Sequence, residues 1–153
     1  MLKSNIHFRL ANAAEAPSIC QFQIEMALET ENLKLNHQTV LLGVQSVLDN
    51  PNLGRYYVAV DKEKIIGCLL MTAEWSDWRN GYVAWIHSLY LIPAVRGQKI
   101  FTDFFNFIKS EIQNDQNYFG IRLYVDKTNL HAQKVYKKIG MNNNHYELYE
   151  WMK

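Results

Sequence analysis

The stretch Trp85-Ile86-His87-Ser88-Leu89-Tyr90-Leu91-Ile92-Pro93-Ala94-Val95-Arg96-Gly97-Gln98-Lys99-Ile100-Phe101 decides how this chain is read. The β-prone run from Tyr82 to Ile92 predicts a strand that Pro93 closes. An Arg-Gly turn follows. Beyond it Ile100, Phe101, Phe104, Phe105, Phe107, Ile108 and Ile112 recur at helical spacing, so a helix is predicted from Gly97 to about Asn114, with its phenylalanines toward the core. Free N–H groups at a helix start, together with the macrodipole, form an anion site. Gly97 would let the backbone approach a phosphate closely, and Arg96 would add charge-assisted hydrogen bonds. The same strand, turn and helix with one glycine also occurs as a plain tight turn in α/β proteins, so these residues alone leave both readings open.

Working outward, Ile6, Phe8 and Leu10 alternate with polar residues and predict a first strand from Asn5 to Leu10, turned by Ala11–Ala14. Helical periodicity then runs from Glu15 to about Glu29, with Pro17 tolerated in the first turn, and a second helix is predicted from Thr39 to Leu48. Tyr56–Val60 and Ile65–Met71 flank Asp61-Lys62-Glu63-Lys64 as a hairpin, and Trp75–Gly81 reads as a connecting loop. Downstream come a strand Gly120–Val125, a helix Asn129–Ile139 and a closing strand Tyr146–Met152. The order predicts a mixed α/β domain.

Composition sets the outer bounds. A chain of 153 residues has room for one domain, and no proline- or glycine-rich linker divides it. Sixteen Lys+Arg against 15 Asp+Glu give a formal charge of +1, which argues against nucleic acid or an anionic membrane as partner. No apolar run reaches the roughly 20 residues of a membrane span, and Met1-Leu2-Lys3-Ser4-Asn5 has no leader-like apolar region. Cys20 and Cys68 sit singly in apolar segments, without ligand spacing, so buried thiols in a reducing cytoplasm are expected and no metal.

A second motif is Asn129-Leu130-His131-Ala132-Gln133-Lys134-Val135-Tyr136-Lys137-Lys138-Ile139-Gly140-Met141. Asn129 suits an N-cap and Gly140 a helix end. Asn129 and Tyr136 stand seven apart, so they share one helix face, where the tyrosine could also be an ordinary residue at the edge of the core.

With the Arg-Gly turn and Asn129, Ala132, Tyr136 and Gly140 in Asn-x-x-Ala-x-x-x-Tyr-x-x-x-Gly, the chain resembles the GCN5-related N-acetyltransferase (GNAT) superfamily in element order over nearly its whole length. The resemblance implies one domain over residues 1–153, with a central, mostly antiparallel mixed sheet flanked by about four helices and splayed to admit acetyl-CoA. It implies acetyl transfer to a primary amine by direct attack in a ternary complex. The backbone of Leu89, Tyr90 and Leu91 would pair with the pantetheine arm, and Arg96, Gly97, Gln98, Lys99, Ile100 and Phe101 would cradle the pyrophosphate. Asn129 and Ala132 would hold the cofactor arm, and Tyr136 would also contact the cofactor and protonate the departing thiolate. The family's turn reads Arg-x-x-Gly-x-Gly/Ala, whereas Lys99 and Phe101 occupy the two small positions here. Lys99 can supply phosphate charge; Phe101 must turn toward the core.

For a general base Glu74 is preferred, acting directly or through water once burial raises its pKa, over His87, whose ring has the right intrinsic pKa but could be a hydrogen-bonded sheet residue. Glu25, Glu29 and Glu31 could attract a cationic amine or form a solvated helix face. Trp75 and Trp78, with Asp77 between them, could receive an amine through cation–π contact, or pack their indoles on the sheet. A small-molecule amine is the favoured acceptor. A protein N-terminus or lysine, and a non-catalytic acyl-CoA sensor, are the alternatives, and the exposed edges and last strand leave a homodimer open.

Overall fold

In the computed structural model, which describes residues 5–153, the alternation at Ile6, Phe8 and Leu10 becomes β1 (Ile6–Leu10). The opening Met1-Leu2-Lys3-Ser4, expected to hold no leader, lies outside the described residues. Asn12 and Glu15 form a reciprocal capping box ahead of α1 (Ala16–Glu31). Asn36 caps α2 (His37–Asp49) by accepting from the Thr39 N–H. Then follow β2 (Arg55–Asp61), β3 (Lys64–Ser76), β4 (Gly81–Leu91), α3 (Ile100–Asn114) and β5 (Tyr118–Arg122). The five strands lie in chain order in one sheet. β1 to β4 are antiparallel and β5 is parallel to β4.

The sheet is covered on both faces. Ala16, Ile19 and Phe22 of α1 and Val44 of α2 pack on Tyr56, Val58 and Val60 of β2, Cys68 of β3 and Tyr90 of β4. On the opposite face Phe104 of α3 stacks on Phe8 at 4.8 Å, and Phe107 meets Tyr57 edge-on at 6.0 Å. Phe104 and Ile108 are fully buried, so truncating either to Ala would cost about 2–5 kcal/mol. Phe101 is half-buried and stacks on Phe105 at 6.4 Å.

Most boundaries shift by a residue or two from the sequence reading, α2 for example starting at His37 rather than Thr39, and three shift further. β3 runs through Trp75 to Ser76, because Thr72 to Ser76 find partners in Gly81 to Trp85 of β4; Trp75 is therefore a strand residue and only Asp77 to Asn80 turn. α3 starts at Ile100 rather than Gly97, because Gly97 (φ +78°) and Lys99 (φ +65°) adopt the left-handed conformation. β5 is Tyr118–Arg122; its ladder with β4 stops at Arg122, and Leu123 to Val125 are not strand.

Leu123–Lys153 forms a second compact unit. Within it α4 (Leu130–Lys138) is capped by Asn129, whose Oδ1 accepts from the Ala132 N–H at 3.1 Å. Gly140 (φ +92°) ends it, with the Met141 N–H on the Tyr136 carbonyl at 3.0 Å and the Gly140 N–H on that of Lys137 at 3.1 Å. The segment Tyr146–Met152, expected as a closing strand, forms no regular element. This unit contains no other strand, and a lone strand cannot satisfy its own backbone groups.

Candidate functional site

The strand β4 is built in two halves. From Tyr82 to Trp85 it lies between β3 and β5, with Tyr82 beside Tyr118, Ala84 beside Ile121 and Trp85 beside Arg122. Beyond Trp85 the ladder to β5 ends, while that to β3 continues to Leu91. Within this open half the register shifts: Cys68 faces Tyr90 but Leu70 faces His87, so Ser88 and Leu89 together oppose Leu69. Ser88 takes φ +51° at this bulge, a left-handed conformation that costs a residue with a side chain about 1–2 kcal/mol. Leu89, Tyr90 and Leu91, the expected pantetheine partners, all lie in the open half.

The loop beyond β4 carries the expected pyrophosphate cradle. Pro93–Val95 forms a single 3-10 turn, and Gly97 and Lys99 both have positive φ before α3 begins. Asn36 and Asn129 cap α2 and α4 and Asn12 caps the 3-10 turn ahead of α1, whereas no side chain caps the start of α3 or of α1 itself. The first N–H groups of α3 therefore have no capping side chain to accept from them. Lys99 holds a left-handed conformation, φ +65°, that glycine adopts most readily.

Arg96 is occupied otherwise than expected. Its Nε donates to the Leu91 carbonyl at 2.8 Å, a terminal nitrogen donates to Glu29 Oε2 at 2.9 Å, and its guanidinium carbon stands 5.2 Å from the centre of the Tyr90 ring. The Tyr90 hydroxyl donates to Glu25 Oε2 at 2.9 Å. Burial and this carboxylate push that hydroxyl up to about 12. Glu25 and Glu29 of α1 thus both face the far end of β4, while Glu31 is an exposed residue in the last turn of α1.

On the α1 face of the sheet, His87 Nε2 is 2.9 Å from Thr72 Oγ1, and the ring stacks near Trp85 at 6.2 Å. Burial lowers the pKa of His87, so the neutral ring is favoured. Glu74, the other candidate base, is not buried as that role requires: its side chain is 46% exposed, paired with Arg122 at 2.9 Å and accepting from Trp85 Nε1 at 3.1 Å. The tryptophan pair is separated as well. Trp75 alternates with Glu74 onto the opposite face and meets Tyr82 edge-on at 5.1 Å, while Trp78 is 87% exposed in the turn beside Asp77. A concavity of about 350 Å³ on the α3 side, lined by Arg55, Tyr57, Met71, Glu111 and Tyr118 among others, contains none of the expected site residues.

In the second unit Tyr136 lies on α4 with Ala132, and burial raises its pKa, which keeps the phenol protonated. Asn129 spends its carbonyl oxygen on the helix cap, so its amide N–H groups are what it can offer a ligand. Cys20 and Cys68 are buried free thiols, and burial pushes Cys68 up to about 12. Among the described residues no cluster of His, Cys, Asp or Glu could hold a metal ion, and no helix is long and apolar enough to cross a membrane.

Sequence reasoning missed the bulge, the split of β4 and the Arg96 contacts. Ser88 and Lys99 are ordinary residue types that give no sign of positive φ, and Arg96 and Glu29 lie 67 positions apart.

The mixed sheet thus loses its fifth strand halfway along β4, and the helix that follows starts without a side-chain cap. The Acetyltransferase (GNAT) family model matches residues 18–141, and the chain belongs to this family. A possible acetyltransferase from Clostridium difficile 630 is 35% identical, over 97% of this chain and 97% of its own, with a TM-score of 0.91. A predicted acetyltransferase from Clostridium acetobutylicum, solved with acetyl-CoA, is 21% identical over 97% and 94% of the two chains, with a TM-score of 0.74. Ribosomal-protein-alanine N-acetyltransferase from Brucella melitensis biovar Abortus 2308 is 11% identical over 97% and 99%, with a TM-score of 0.78. The latter two share the fold. No curated protein matches the chain.

Proposed function

We propose that the chain, as one transferase domain, uses acetyl-CoA to acetylate a primary amine of a small molecule, in the cytoplasm, by direct attack in a ternary complex. The observation that carries this reading is the open half of β4. A strand edge that has lost its neighbour inside a covered sheet offers backbone N–H and C=O groups to an extended ligand, and the pantetheine arm is amide-bearing and extended. In this reading Leu89 to Leu91 pair with that arm, and an N–H beside the bulge polarises the thioester carbonyl. The α3 start and Lys99 hold the pyrophosphate, and the Asn129 amide and Ala132 contact the arm.

The amine nitrogen attacks the thioester carbonyl carbon, forming a C–N bond as the C–S bond breaks. His87, neutral and tied to Thr72, takes the proton released by the amine; Tyr136 gives its proton to the thiolate. His87 is preferred to Glu74 because burial favours its neutral form, whereas Glu74 is exposed and tied to Arg122. Asp77 and Trp78 in the β3–β4 turn remain candidates to meet an approaching amine, with Trp75 turned to the other face.

The test is thiol release from acetyl-CoA across a panel of small amines and peptides, beside a melting-temperature shift with acetyl-CoA. Release accelerated by a small amine, and lowered about 10²-fold or more in Tyr136→Phe with acetyl-CoA binding kept, is the expected result. A melting shift without release would replace the enzyme by an acyl-CoA sensor. Acceleration by peptides alone would move the acceptor to protein, and no shift at all would overturn the reading.

A further inference from the structure

Arg96 stands at the mouth of the pyrophosphate loop, yet its guanidinium serves the other face of the sheet. The residues that meet it are Leu91 and Tyr90 of β4 and Glu29 of α1, at 2.8 Å, over the ring at 5.2 Å, and at 2.9 Å. The Tyr90 ring also packs on Phe22 of α1 at 5.3 Å, and its hydroxyl holds Glu25 one turn before Glu29. α3, whose start would take the phosphates, packs on the opposite face against Phe8 and Tyr57.

The Arg96–Glu29 pair is 43% and 40% exposed on its two sides, a setting in which an ion pair adds little to stability. Its value is directional. A planar fork fixed by a carbonyl, a ring face and a carboxylate has one geometry, which an ammonium could not reproduce.

We propose that Arg96 is a positioning residue that straps α1 to the end of β4, while Lys99 and the loop N–H groups meet the phosphate charge of acetyl-CoA. The strap commits Glu29 to Arg96 and leaves Glu25, which accepts only from neutral groups, the Tyr90 hydroxyl at 2.9 Å and the Gln21 amide at 3.0 Å, as the carboxylate of α1 that faces an amine. This rests on the transferase reading for what the strap positions, but not for the strap itself.

The experiment compares R96Q, R96K, E29Q, R96Q/E29Q and K99A by amide hydrogen exchange of α1, by calorimetric titration with acetyl-CoA, and by KM for the amine found above. Expected are faster exchange over residues 25–31 in R96Q, R96K and E29Q, and a double variant no worse than either single one, as for two halves of one contact. Acetyl-CoA affinity stays within about twofold in these variants and falls about tenfold in K99A, about 1.4 kcal/mol. The KM for the amine rises about fivefold or more in R96Q and E29Q with kcat little changed, a split that a general loss of folding would not give. A loss of acetyl-CoA affinity in R96Q matching that in K99A, with α1 exchange unchanged, would overturn the proposal. Should R96Q not fold, R96K and E29Q carry the comparison. If acetyl-CoA does not bind the wild-type chain, the transferase reading fails and α1 exchange alone decides the strap.

Discussion

The two halves of β4 differ in what lies beside them. Tyr82 to Trp85 have a strand on either side, while Ile86 to Leu91 have β3 alone and a bulge with Ser88 at φ +51°. Unpaired sheet edges are usually blunted at the periphery, where they invite unwanted pairing. Here the edge opens in the middle of a strand whose faces are already covered, so what can reach it is slender and extended. The difference teaches that ending a ladder early leaves a strand edge without a sheet partner and spends no side chain on it.

Substitutions should act differently in the two halves. The largest effect is expected at His87 in the open half: under the proposed chemistry, His87→Ala lowers kcat by about 10²–10³-fold with acetyl-CoA affinity retained, whereas Trp85→Phe, two residues away, leaves kcat within a few-fold. Because burial depresses the pKa of His87, the acid limb of kcat/KM should fall below the ordinary value of 6.5. The same shift sets a sign for stability. Below about pH 6.5 the unfolded chain takes up a proton that the folded site resists, so stability declines with acidification until the folded pKa is reached, and His87→Gln should flatten that slope in pH-dependent urea melts. A pH profile unchanged by the substitution would remove His87 as the base.

Next in size is Ser88→Val. A β-branched residue is a poor occupant of the left-handed region, so a loss of about 1–2 kcal/mol in denaturant unfolding is expected, with acetyl-CoA affinity lost in parallel. Loss of stability with unchanged affinity would separate the bulge from the cofactor site. A smaller effect of opposite sign is expected at Lys99→Gly. Relief of the strained φ of +65° stabilises by up to about 1 kcal/mol, raising Tm by about 2–4 °C, while phosphate charge is lost. The smallest belongs to the paired half: Glu74→Gln breaks the exposed pair with Arg122 and costs at most about 1 kcal/mol, with kcat within about twofold. A collapse of kcat there would return the base to Glu74 and undo the contrast between the halves.

Much of the fold was legible because it is local. The asparagines at 12, 36 and 129 announce helix starts, Gly140 announces an end, and the phenylalanine-rich run of α3 shows its buried face by spacing alone. The candidate cofactor residues were drawn from the Arg-Gly turn and the Asn129–Gly140 motif, which are local patterns. What escaped depends on distant partners or on backbone angles that residue type does not encode. Thr72 to Ser76 become strand because β4 lies alongside, and Tyr146 to Met152, equally β-prone, do not form one in a unit with no strand to pair with. Tyr90 and Glu25 meet across 65 positions, a contact that no periodicity records.

The bulge at Ser88 also works as a phase shifter. Strand side chains alternate between faces, so residues three apart ordinarily point opposite ways, yet His87 and Tyr90 both look toward α1, because one extra residue resets the count between them. Deleting that residue would therefore do more than shorten the strand. It would restore strict parity and turn every residue on one side of the bulge, His87 or Tyr90 among them, to the opposite face of the sheet.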